Sequence, residues 1–79
     1  MKTTQWFRGV VDPVHLGVYQ RKYPAFGINQ PFLEMYSYWD GNRWYAASLS
    51  VNEAVDTFMH SVVSANQGLP WRGLVDQVK

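Results

Sequence analysis

Two histidines, His15 and His60, and one carboxylate in an otherwise apolar stretch, Glu34, are the groups best suited by type to acid–base or metal chemistry. Their spacing argues against it. Neither histidine has a second histidine at ligand spacing, and the chain has no cysteine, so a metal set would have to be gathered from distant carboxylates. His60 falls on the polar side of an expected helix near its C-terminal end, where the dipole favours a cation. His15 falls on the outer face of an expected strand. No Gly-x-Ser-x-Gly elbow accompanies a serine, so Ser48 and Ser50 read as a strand end and a helix cap. The glycines are scattered and form no phosphate-cradling loop. Glu34 reads as a solvent-facing residue, or as a cross-strand partner of Arg21 or Arg43, before it reads as a general acid. The expectation is a protein that is not an enzyme and uses no metal and no cofactor.

What the sequence has in surplus is rings. Four Trp, five Tyr and four Phe stand in 79 residues. A chain of this length buries only about 60% of the surface that its unfolded form exposes, and without cysteine no disulfide or thiolate zinc site adds stability. Each aromatic side chain can bury roughly 150–250 Å². The rings therefore have a structural task, and those left over are candidates for binding.

The prolines divide the chain into the elements that must position those rings. Residues 14–23 alternate, with Val14, Leu16 and Val18 on one side and His15, Tyr19, Arg21 and Tyr23 on the other, which predicts a half-buried strand. Residues 32–39 and 43–49 predict two more strands, joined by Asp40-Gly41-Asn42 as a hairpin turn. From Ser50 the period becomes helical. Ser50 and Glu53 form a capping box, and a helix is expected over residues 51–65, ended by Asn66 or Gly68. The tail of residues 69–75 is too apolar to float free and should fold back with Trp71 against the sheet or helix. Trp6 and Phe7 pin the N-terminal lead, with a fourth edge strand considered around Val10 and Val11. The expected fold is α+β in one domain spanning residues 1–79: a three-stranded antiparallel meander, open to a fourth strand, with one C-terminal helix packed on one face.

The faces of that sheet depend on hairpin register. A two- or four-residue loop puts Trp39 and Trp44 on one face with Met35 and Leu33. A three-residue loop groups Leu33, Met35, Trp39, Tyr45, Ala47 and Leu49 and leaves Tyr36, Tyr38 and Trp44 opposite, because one residue of slip exchanges the faces. The second grouping is the one expected, since it makes one face more uniformly apolar. Tyr19, Tyr23, Tyr36, Tyr38 and Trp44 then share the face that the helix leaves open, beside Arg21 and Arg43. Tyrosine, tryptophan and arginine are the residues enriched at binding hot spots. These seven are the candidate partner-binding set, against the plainer reading that the rings only cover the sheet.

A net charge of +1, with charged residues at 16% of the chain, is far from the basic footprint of a duplex-binding protein. Stacking of single-stranded nucleic acid on an aromatic sheet is the alternative, over a thin positive field. The first residues carry no apolar leader and no long apolar run follows, so the chain is expected to be soluble, intracellular and free of membrane contact.

Three stretches carry a resemblance: Pro13-Val14-His15-Leu16-Gly17-Val18-Tyr19, Tyr38-Trp39-Asp40-Gly41-Asn42-Arg43-Trp44 and Leu69-Pro70-Trp71-Arg72-Gly73-Leu74. In this order they resemble a group of small bacteriophage- and prophage-encoded proteins. The resemblance implies a phage accessory protein acting in the cytoplasm of a bacterial host, of a kind that often occludes a host enzyme or defence complex. A host or phage protein is the implied partner. A structural or morphogenetic role, and homo-oligomers formed through an unpaired strand edge, are the other outcomes.

Overall fold

The computed structural model describes residues 3–24 and 32–74. The stretch between Pro24 and Pro31 and the last residue of the expected tail packing, position 75, lie outside them. Strand β1 is Gly17–Pro24, β2 is Phe32–Trp39, helix α1 is Val51–Met59 and β3 is Trp71–Gly73. The three strands form one antiparallel sheet in the order β2-β1-β3, and α1 packs on β2 and β1. The fold is α+β, with a single helix on a three-stranded sheet.

The third strand comes from an unexpected place. It is the tail, not residues 43–49, that completes the sheet: Arg21 pairs with Trp71, Gln20 with Arg72 and Tyr19 with Gly73. The central strand is therefore β1, and the connectivity is not that of a meander. On the other side of β1 the register runs from Gly17 opposite Trp39 to Pro24 opposite Phe32. The strand also begins later than the alternation suggests. Pro13 is buried, the chain bends at Val14 and His15, and the Tyr19 hydroxyl donates to the His15 carbonyl at 2.7 Å, drawing residues 14–16 out of the ladder.

Residues 43–49 do fold back on β2, but through single bridges. Trp39 pairs with Trp44, while Tyr36 pairs with Ser48 through reciprocal bonds of 2.9 and 2.8 Å. The returning segment thus holds one residue more than the stretch of β2 that it opposes. That is a bulge, and it bends the segment away from regular pairing. Its outer edge then receives residues 62–64, through Ala46 N–H to the Val62 carbonyl at 2.8 Å and Ser64 N–H to the Trp44 carbonyl at 3.0 Å.

The turn between them has four residues, 40–43, so the three-residue register expected from the sequence is corrected. Asp40 is the reason. One of its carboxylate oxygens accepts the N–H groups of Asn42 and Arg43, both at 2.8 Å, and the other accepts the Tyr45 hydroxyl at 2.8 Å. Gly41 supplies the left-handed residue at φ 94°. Burial pushes the Asp40 carboxyl up, but the Arg43 and Asn42 N–H groups, the Tyr45 hydroxyl and the Arg43 charge together outweigh it and hold its pKa below the ordinary value. A carboxyl whose folded pKa is depressed adds stability above its unfolded pKa of about 3.9 and loses it as pH falls through the folded value. The stability gap between the wild type and Asp40→Asn, measured by urea unfolding, is therefore expected to be widest near neutral pH and to close in acid below about pH 3.9.

Helix α1 opens on the first half of its capping box: Ser50 Oγ accepts the Glu53 N–H at 3.2 Å, while the Glu53 carboxylate accepts the Ser50 hydroxyl at 3.3 Å in place of the backbone N–H. It ends at Met59, well short of residue 65. Ser61 adopts φ 59°, its N–H reaching the Phe58 carbonyl, and the Val62 N–H reaches back to the Thr57 carbonyl at 2.9 Å. This double closure is the helix stop usually built on glycine. The β-branched Val62 and Val63 then leave in extended form to pair with residues 44–46. A left-handed non-glycine residue costs about 1–2 kcal/mol, so Ser61→Gly is expected to raise the stability by about 1 kcal/mol, read as a higher urea midpoint at unchanged slope.

The N-terminal lead forms the fourth edge at residues 3–7, through Thr4 and Phe7 N–H groups bonded to the Gly73 and Trp71 carbonyls, and not around Val10 and Val11. Val11 instead closes a turn onto the Arg8 carbonyl. Gly9 lies against the Gly68 carbonyl, where any Cβ would overlap it. Among the described residues, no helix is long and apolar enough to cross a membrane.

Candidate functional site

In antiparallel pairing, residues directly opposite one another share a face. Val18 opposite Tyr38 and Gln20 opposite Tyr36 place both tyrosines on the helix side of the sheet. There they pack with Val18, Ala54, Leu74, Val51 and Val55, and the Tyr38 ring stacks on Phe58 at 4.2 Å. Tyr36 and Tyr38 thus leave the candidate set: they line the layer between sheet and helix. Further along the same face, Arg72 bonds the Glu34 carboxylate at 2.9 Å and Gln20 Oε1 at 2.7 Å. Trp6 covers this end, with Arg72 and Lys22 within 4.4 and 4.7 Å of its ring centre. Glu34 therefore pairs with Arg72, and neither Arg21 nor Arg43 is its partner.

Tyr19, Arg21 and Tyr23 point to the opposite face, as the alternation predicts, but that face is not open. Tyr19, Trp39, Trp44 and Trp71 form a buried aromatic cluster with Phe7 packed against it. Tyr19 stands edge-on to both Trp71 and Trp44, and Phe7 stacks on Trp71 at 4.6 Å. Trp44, 2% exposed, is held in place by its backbone. Its N–H donates to Gln67 Oε1 at 2.7 Å and its carbonyl accepts from Gln67 Nε2 at 2.9 Å, so one side-chain amide does the work of a neighbouring strand residue. Removing that amide strands a partly buried N–H, which costs about 1–3 kcal/mol. Gln67→Ala is expected to lower the unfolding free energy by that amount, measured by urea titration, and Gln67→Glu, which cannot donate, to fall between the two.

Arg21 is the least expected resident of this interior. It is fully buried, with its guanidinium 4.5 Å above the Trp44 ring, and it donates to the Tyr23 hydroxyl at 2.9 Å and to the Asn66 carbonyl at 2.7 Å. Among the described residues no carboxylate pairs with it, and its Nε–H has no acceptor. Burial lowers its pKa, with the Tyr23 hydroxyl opposing. The Tyr23 hydroxyl in turn meets Ser64 Oγ at 3.1 Å and Ser37 Oγ at 3.3 Å. Of the seven candidates, then, Arg21 and Trp44 are enclosed, Tyr19 is 9% exposed, Tyr23 is half-buried beneath Ser64, and only Arg43, with a 54% exposed side chain in the turn, faces solvent.

The open apolar surface lies elsewhere. An apolar groove of about 380 Å³ runs between the lead and the sheet, walled by Phe7, Tyr19, Trp71 and Leu74, with Val14 and His15 at its edge. The Tyr19 hydroxyl is occupied by the His15 carbonyl, and burial pushes its pKa up despite that bond. The Trp71 indole N–H is likewise bound to the Val11 carbonyl at 2.6 Å, so the walls offer ring faces and methyl groups with few free polar atoms. Val14 is 90% exposed and Val10 80%, with Val11 and Leu16 exposed beside them. Sequence reading missed this surface by assigning Val14 and Leu16 to a buried strand face. Pro13 and Gly17, which isolate the three residues between them, were the available signal. His60 sits at the helix end, its Nδ1 2.9 Å from the Asp56 carbonyl, and no group of three potential metal ligands occurs among the described residues.

Comparisons with protein families, with curated proteins and with solved structures find no match to this chain.

Proposed function

We propose that the chain is a non-catalytic protein-binding module that receives an apolar side chain of its partner in the groove between Phe7, Tyr19 and Trp71. The observation that supports this reading is the groove itself, with ring walls whose polar atoms are already bonded, beside valines that the fold leaves in water. Burying such a surface contributes about 25 cal/mol per Å² of apolar area, and contiguous exposed apolar patches on small proteins commonly mark interaction sites. The contact surface therefore moves from the aromatic sheet face to the lead. The nucleic-acid alternative loses support, because Trp44 is enclosed by the chain's own segments and Tyr36 and Tyr38 line the layer beneath the helix. A phage or prophage accessory role in a bacterial host is the setting that the three-motif resemblance supplies.

The test uses two residues whose side chains are almost wholly exposed. Val10→Lys combined with Val14→Lys should leave the melting temperature unchanged and abolish capture of proteins that the wild type retains from bacterial lysate. Identical capture by both forms, or capture of nothing by either, overturns the reading. Sedimentation of the wild type separates a second copy of the chain from a foreign partner.

A further inference from the structure

We infer that Arg21 is the anchor of an oxyanion site beneath the loop of residues 65–68. The inference is independent of the protein-binding groove and rests on a local surplus of donors. The guanidinium, fully buried, brings its N–H groups to a cluster that already contains the hydroxyls of Tyr23, Ser37 and Ser64. The acceptors that meet this set are those same hydroxyl oxygens and one carbonyl, that of Asn66, which Arg21 Nη2 and Ser64 Oγ share at 2.7 and 3.1 Å. Arg21 Nε–H remains without any acceptor. No carboxylate among the described residues balances the charge. Buried cations are ordinarily paired, because desolvation of an isolated charge costs several kcal/mol.

The cover over this cluster is thin. Ala65, Asn66, Gln67 and Gly68 are all exposed, and the loop is held down by the Asn66 contact to Arg21, the Ser64–Asn66 turn and the Gln67 grip on Trp44. A small oxyanion that replaces the neutral Asn66 carbonyl meets the guanidinium fork and the Tyr23 and Ser64 hydroxyls at once. The Asn66 N–H, now bonded to Ser64 Oγ at 3.1 Å, is a further donor on the same loop. Charge-assisted bonds of this kind are about twice as strong as neutral ones, so the exchange favours the anion.

The experiment is a thermal melt of the whole chain in inorganic phosphate, in acetate and in chloride at matched ionic strength, for the wild type and Arg21→Met. Phosphate at ten times its dissociation constant multiplies the folded population by about eleven, which for a domain of this size raises Tm by about 6–11 °C. That rise is expected in the wild type, to saturate with concentration, and to be absent in Arg21→Met and in chloride. An effect of acetate as well identifies carboxylates as ligands of the same site, and its absence restricts the site to phosphate. No rise in either oxyanion, or equal rises in the wild type and the variant, overturns the inference. A second readout does not require the variant to fold: the side-chain Nε–H resonance of Arg21 in the wild type should move in a saturable way with the oxyanion, and a resonance unchanged across both titrations overturns it.

Discussion

Trp44→Ala is expected to leave the chain largely unfolded at room temperature. The indole is 2% exposed and touches the rings of Trp39, Tyr19 and Trp71, with centroids at 5.1, 5.8 and 6.4 Å. Truncating a buried tryptophan costs about 3–5 kcal/mol through lost transfer energy and the cavity left behind. The same change removes the ring face that lies against Arg21, so a buried cation loses one of its few favourable neighbours. A chain of 79 residues has in total only about 4–12 kcal/mol to lose. Circular dichroism should show a broad, low-temperature transition or none, whereas Trp44→Phe, which keeps a ring at the site, should retain a cooperative melt. A Trp44→Ala protein with a melt like that of the wild type would mean that the aromatic cluster is not the core of the fold.

Arg21→Met is expected to act in the opposite direction, leaving the stability unchanged or raising it by as much as about 1–4 kcal/mol, the gain seen when buried ionic groups give way to apolar ones of similar size. Methionine fills much of the volume along the same unbranched path and needs no solvent. The sign follows from what stays bonded. Without the guanidinium, the Asn66 carbonyl still accepts from Ser64 Oγ, and the Tyr23 hydroxyl still meets Ser37 and Ser64, so no partner is stranded. Arg21→Ala removes the stem as well, opens a cavity and should destabilise. Urea midpoints for the two variants, one at or above and one below the wild type, decide between a charge that supports the fold and a charge that the fold carries at a cost. The second outcome is what an anion-binding residue requires, since a group poised for a ligand is rarely optimal for stability.

Local signals in this sequence reach as far as local forces do. Strand Phe32–Trp39 has the bounds that its period and flanking residues predict, and the helix begins at Ser50 because a hydroxyl three residues before a glutamate can satisfy the first free N–H groups whatever surrounds it. The return of the chain after Trp39 and the packing of the tail are likewise visible in Asp40-Gly41-Asn42 and in Leu69-Pro70-Trp71. The helix end was harder to see, since Ser61 occupies a conformation for which glycine is the usual marker. The four-residue turn that sets Trp44 beside Trp39 depends on where Asp40 sends its two oxygens, a one-residue choice that composition does not resolve.

The amino-acid sequence by itself determined the α+β class, a strand with Tyr19, Arg21 and Tyr23 on one side, and the need for rings to stabilise a short chain without disulfides. The tertiary structure alone decided which side chains are enclosed and which stay accessible. Strand β3, drawn from the far end of the chain, and residues 62–67, laid across Trp44 and Arg21, close the face that seemed open, while Val10 and Val14 are left in water. Pairing between distant segments carries little trace in either one, because each strand edge offers the same N–H and C=O groups and the choice between partners is made by the sum of side-chain contacts after the chain has closed on itself.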